Sequence, residues 1–224
     1  MQVEVIVALI VSGSALIGSV INSVIIFKNS AKVLKQSKYQ IEYNRLNERK
    51  KYILKKLNEF YYPLRNYLQT SKSLYDLFIQ GKPNGFRTLT YLLNPNQSYE
   101  DNVKVVLQGN DKILLEKIFE IGFEIEKLIA VKGGIIDDPE FTEKYTPSNA
   151  FADPMIVGNL SLLSLTKSHL NFIRLAYNGN LIGDVEKFTV YVYPRELNKI
   201  LDKIILELEE SREKYEADMA NLTQ

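Results

Sequence analysis

An uncharged run near the start constrains this chain more than any other feature. Residues Val5–Phe27 read VIVALIVSGSALIGSVINSVIIF, 23 positions without a charged side chain. As a helix the run is ~35 Å long at ~1.5 Å per residue. A bilayer hydrocarbon core is ~30 Å thick and takes ~20 such residues. The reading is an uncleaved transmembrane helix. A cleavable leader wants a basic start, a shorter apolar core and a small-residue cleavage site. Here Met1-Gln2-Val3-Glu4 has no basic residue, and the run ends in Ile25-Ile26-Phe27-Lys28. The uninterrupted length and the change of character at Lys28 also argue against a buried helix of a soluble protein.

The run is not uniformly oily. Ala8, Ser12, Ala15, Ser19 and Asn22 follow a 4-3-4-3 spacing that sets them on one seam, with Ser14 and Gly18 beside it. Small residues let membrane helices approach closely, and Ser and Asn hydrogen-bond across the contact. An unpaired Asn22 amide in hydrocarbon costs ~4–8 kcal/mol. The seam reads as a helix–helix contact in a homo-oligomer or as the wet side of a pore. Single polar residues in such helices also find local partners.

Charge sets the orientation. Residues 28–59 hold ten Lys/Arg against three acids, a local charge of +7, while residues 60–224 sum to −5. Positive flanks stay inside, so the expectation is N-terminus out with the bulk of the chain cytoplasmic. Lys28, Lys32, Lys35 and Lys38 are the basic residues nearest the run. They suit a bilayer surface, each worth ~1 kcal/mol near anionic headgroups; nucleic acid is the other polyanion they fit. The chain has no cysteine and one histidine. Disulfides, thiolate metal sites and cysteine nucleophiles are excluded, and no cofactor is expected.

The organisation reads as a transmembrane anchor over 1–28, a basic stalk helix over 29–62 and a helical domain over 63–224. Lys28–Leu77 has no glycine, and its one proline, Pro63, follows Phe60-Tyr61-Tyr62. That proline predicts a kink filled by the aromatics. Gln80–Asp111 is broken by turn residues, with a short helix over Phe86–Leu93. A long helix is predicted from an Asn110-Asp111 cap to about 131, another over 158–177 and a last one over 195–215. The 133–157 connection is long enough to carry short helices of its own. Phe188–Tyr193, FTVYVY, predicts one extended strand packed on helices, and the chain beyond Glu209 is expected to fray. The fold class is all-α.

No Gly-x-Ser-x-Gly elbow, phosphate-binding loop or dinucleotide fingerprint occurs. Asp137-Asp138 reads as a solvated turn. His169 shares a helical face with Leu162, Leu165, Phe172 and Ile173, so a half-buried, hydrogen-bonded imidazole is its ordinary explanation. His169 and Arg174 are the two candidate catalytic residues. Their spacing of five rotates them ~500° at ~100° per residue, which sets them well apart around one helix.

The anchor, the basic helix, Phe60-Tyr61-Tyr62-Pro63-Leu64, His169 with Arg174-Leu175-Ala176-Tyr177, and Tyr193-Pro194-Arg195-Glu196-Leu197 together resemble a group of small bacterial single-pass proteins. The layout is also similar to the accessory membrane proteins of type VI-B CRISPR loci. The resemblance implies a HEPN-like helical domain in the cytosol, with the protein anchored in the bacterial inner membrane. It also implies self-assembly through the anchor into a pore, and support of antiviral defence by an RNA-guided effector. HEPN ribonucleases carry an Arg, then four to six residues, then the His, whereas here no Arg lies within six residues before His169 and Arg174 follows it instead. A non-catalytic membrane scaffold that recruits a cytosolic partner, and a membrane-tethered ribonuclease, are the alternative functions.

Overall fold

The computed structural model describes residues 2–99, 103–145 and 160–222; side chains are described from 19 onward within these, apart from 21 and 189. The described residues are mostly helical and contain no strand, in keeping with the all-α class. Helix α1 spans Gln2–Lys56, a π-helical turn Leu57–Tyr61 follows, and α2 runs Tyr62–Phe78. Then come α3 (Thr88–Leu93), α4 (Asn110–Lys132), a 3-10 turn (Gly133–Ile135), α5 (Pro139–Thr142), α6 (Leu162–Tyr177), α7 (Val185–Thr189) and α8 (Leu197–Leu222).

Contacts divide the chain into two compact units. The smaller comprises residues 1–51 and 213–224. In it Leu46 of α1 and Met219 of α8 are buried, and Lys50 pairs with Glu216 at 3.0 Å. The end of α8 is therefore ordered helix to Leu222, not the frayed tail expected beyond Glu209. Burial of Met219 and an ion pair to Glu216 supply what local sequence does not.

The larger unit comprises residues 52–212. Its core gathers Leu57, Phe60, Tyr61, Leu64, Leu115, Ile125, Phe141, Leu162, Leu165, Leu197 and Leu201, none more than 1% exposed. Helix α2 packs on α4, α4 on α6, and α6 on α3 and α5. Gly122 lets α4 approach α6: a Cβ there would meet Leu170 Cδ2 at 3.3 Å. Helix α6 starts where Ser161 caps it, accepting from Ser164 N–H at 3.2 Å. Helix α4 is not capped by Asn110 or Asp111. Its cap is Gly109 at φ +51°, a conformation suited to glycine, while Asp111 pairs with Lys82 at 2.8 Å.

Just ahead of Pro63 the helix takes a π-helical turn over Leu57–Tyr61, and one sequence expectation is corrected here. FTVYVY is no strand: Phe188 and Thr189 end α7, and Tyr191 N–H closes a turn on Phe188 O at 3.1 Å. An isolated strand is not stable without a paired edge. Here the aromatics pack on α6 instead, with Phe172 at 5.4 Å from Phe188 and 4.6 Å from Tyr191 between ring centres.

Among the described residues no helix is long and apolar enough to cross a membrane. Positions 5–18 and 21 of the Val5–Phe27 run lie outside the described side chains.

Phe60 is fully enclosed and meets Tyr61 edge-on at 5.3 Å. Phe60→Ala is expected to lower the urea unfolding free energy by about 3–5 kcal/mol. Leu77→Ala, at a side chain 53% exposed, should change it by less than about 0.5 kcal/mol.

Candidate functional site

Among the described residues of the larger unit, a connected set of polar groups surrounds Lys56, the last residue of α1. Lys56 lies in the same stripe as Ile53, Leu57 and Phe60, so the helix carries it inward and leaves it 4% exposed. A buried ammonium requires compensating charge. It comes from Asp137 and Asp138, in the connection after α4. Lys56 Nζ contacts Asp137 Oδ1 closely and Asp138 Oδ2 at 2.9 Å. Tyr52 donates to Asp137 at 3.0 Å and Tyr61 donates to Asp138. The ammonium also stands 5.7 Å from the Tyr52 ring centre and 5.9 Å from that of Tyr61, within cation–π range.

The electrostatics are those of a closed ion cluster. Burial pulls the Lys56 ammonium down, but its bonds to Asp137 and Asp138 outweigh that and its pKa is raised. The Lys56 bond holds the Asp137 carboxyl below the ordinary carboxylate range against opposing burial, with help from Tyr52. Burial, then the Asp138 bond, keeps the Tyr61 phenol protonated. Lys56, Asp137, Tyr52 and Tyr61 are thereby held in their ordinary charge states. The cluster is built to bind the 137–138 segment to the π-helical turn, and it presents neither a poised base nor a nucleophile.

Sequence reasoning missed this cluster. Lys56 was one of ten basic residues of a stalk, and Asp137-Asp138 a solvated turn. Asp137 is indeed 62% exposed at its side chain, but Asp138 is only 19% exposed. The readable signal was a lysine inside an apolar stripe; its partners lie some 80 positions away and leave no local mark.

The two candidate catalytic residues engage different partners. His169 on α6 is half-buried, and its Nδ1 lies 2.7 Å from Tyr191 O. A carbonyl only accepts, so Nδ1 carries the hydrogen. Tyr193 meets the ring edge-on at 5.7 Å. Burial pushes the imidazole down to about 4, helped by the Arg87 charge and opposed by the Tyr191 bond. Arg174 faces α4 instead. It reaches both oxygens of buried Glu126 at 3.4 Å and Asn171 Oδ1 at 2.7 Å. The geometry makes Arg174 the counter-charge of an acid on the core face of α4, and brings it to no site shared with His169.

Of the seam, Ala8, Ser12 and Ala15 fall outside the described side chains. Ser19 and Asn22 are exposed, and Ser23 Oγ donates back to Ser19 O at 2.8 Å. Lys28, Lys32, Lys35 and Lys38 are exposed too. In the smaller unit α1 and α8 line a groove of about 470 Å³ whose charges are mixed: Arg45, Arg49 and Lys214 against Glu42 and Asp218. Among the described residues no group of three or more His, Asp or Glu could hold a metal ion. No protein-family model, curated protein or solved structure matches this chain.

Lys56→Met leaves Asp138 and the Tyr61 phenol without their cation. It should destabilise the protein by about 3–5 kcal/mol, read by urea unfolding, whereas Asp137→Asn at the exposed side of the cluster should cost about 1 kcal/mol or less.

His169 gives a pH signature. Its folded pKa is about 4 against an ordinary 6.5, so the unfolded chain binds the proton first. Its contribution is complete above 6.5 and is lost as pH falls through that window to about 4. Urea midpoints of the wild type should drop relative to His169→Asn across this range; a constant difference would mean that the ring is already solvated in the folded state.

Proposed function

We propose that this chain is a membrane-anchored protein that self-assembles through the first half of α1, with its helical domain on the cytoplasmic face. The observation that carries the reading is the water-facing apolar surface of that helix. Val20, Val24, Ile25, Ile26 and Phe27 are 49–77% exposed. Apolar area left in water forfeits ~25 cal/mol per Å², and contiguous exposed patches mark membrane or protein contacts. The same residues end an uncharged run of 23, followed at once by Lys28. Lipid covers such a surface, and the seam of Ala8, Ser12, Ala15, Ser19 and Asn22 then faces other copies. A ring of anchors with that seam inward is a pore. The link to antiviral defence beside an RNA-guided effector rests on the resemblance alone. The ribonuclease alternative draws no support from His169 and Arg174, each of which serves a different neighbour.

Reconstitution into dye-loaded liposomes tests the reading. Carbonate-resistant insertion and dye release are expected of the wild type. Combined Ser12→Leu, Ser19→Leu and Asn22→Leu should keep insertion, since the run becomes more apolar, and abolish release. Release unchanged in the triple variant would remove the seam from the pore. Insertion without release by the wild type would leave an anchored scaffold.

A further inference from the structure

The cations of α1 fall into two groups. Beyond residue 42 several are paired: Arg45 with Glu42 at 2.5 Å, Lys51 with Glu48 at 2.8 Å and Lys50 with Glu216 at 3.0 Å. Lys28, Lys32, Lys35 and Lys38 are exposed, and among the described residues none of them has an ion-pair partner. No acid stands between Glu4 and Glu42 to supply one. The 4-3-3 spacing gathers the four within ~120° of the helix circumference and ~15 Å of its length.

We propose that this lysine stripe is a binding surface for anionic phospholipid headgroups. The inference rests on the anchoring proposed above and names the lipid class that the anchored protein selects. The stripe begins one residue after Phe27, where an inserted run would meet the headgroup layer. Its ~15 Å length covers that layer and about one Debye length of ~8 Å at physiological salt. The chemistry suits a diffuse target. Lysine is a compact, hydrated charge on a flexible stem, while arginine's planar fork is made for fixed bidentate partners, and the first arginine of α1 is Arg45. Aromatic residues that would stack bases are missing from 28–38.

The test is competition of the full-length protein between phosphatidylcholine vesicles and vesicles carrying about one-third phosphatidylglycerol, separated by flotation at ~0.15 M salt. Wild type should favour the anionic vesicles about tenfold or more. Combined Lys28→Gln, Lys32→Gln, Lys35→Gln and Lys38→Gln should float equally well but bring the ratio close to one, as should ~1 M salt. Equal wild-type distribution over both vesicles overturns the headgroup site and leaves the anchor standing. Flotation with neither overturns both. A preference retained by the quadruple variant removes these lysines from it. Detergent-solubilised wild type that binds single-stranded RNA at the same salt, with the quadruple variant losing that binding, reassigns the stripe to nucleic acid and overturns the lipid proposal.

Discussion

The backbone of Leu57–Tyr61 is the constraint on which the larger unit depends. Pro63 brings no N–H, and in an α-helix its ring would press on the carbonyl of Glu59. A π-helical turn answers both problems by opening the ladder one residue wider. Tyr62 N–H reaches Leu57 O, five residues back, and the chain re-enters α-helix with Pro63 in the first turn of α2, where a missing donor costs nothing. Helical geometry is thus kept on both sides, and Leu57, Phe60, Tyr61 and Leu64 all reach 0% exposure. A coil at the same place would have scattered those four side chains.

The same turn organises the polar interior. It sets Tyr61 beside the last turn of α1, so that Lys56 and two phenols converge where the connection after α4 passes. Burying a lysine with aspartates does not by itself stabilise a protein, because desolvation offsets much of the attraction. What the cluster adds is position. A connection free to take many paths is held at Asp137 and Asp138, and Phe141 just beyond is fully buried, 5.9 Å from Tyr61. Glu126 and Arg174 do a similar job between α4 and α6. In both places one member of a pair sits on an apolar helix face and its partner comes from a distant segment, which fixes register between elements that apolar packing alone would leave free to slide.

His169 illustrates how the same physics separates a titratable group from chemistry. Five residues of α6 turn it away from Arg174. Its Nδ1–H is committed to Tyr191 O, and burial beside Tyr193 keeps it neutral. The polypeptide that bonds it is FTVYVY, the segment that alternates like a strand. Alternation expressed a preference for half-burial there, and α6 offered a helix surface where a strand would have needed a neighbouring edge.

Local sequence determined the long helices, the turn-rich break over 80–111 and the uncharged run, because periodicity, turn residues and missing charges act over a few positions. The surface lysines of 28–38 were legible for the same reason. Tertiary structure decided the rest. It made Lys56 a core residue instead of a stalk cation, and Asp137-Asp138 its counter-charge instead of a solvated turn. It folded FTVYVY onto α6 and kept α8 helical to Leu222 through Met219 and Glu216. Each of those outcomes depends on a partner beyond the reach of local periodicity, and such a partner is chosen by packing and charge in three dimensions, which no window of neighbouring residues contains.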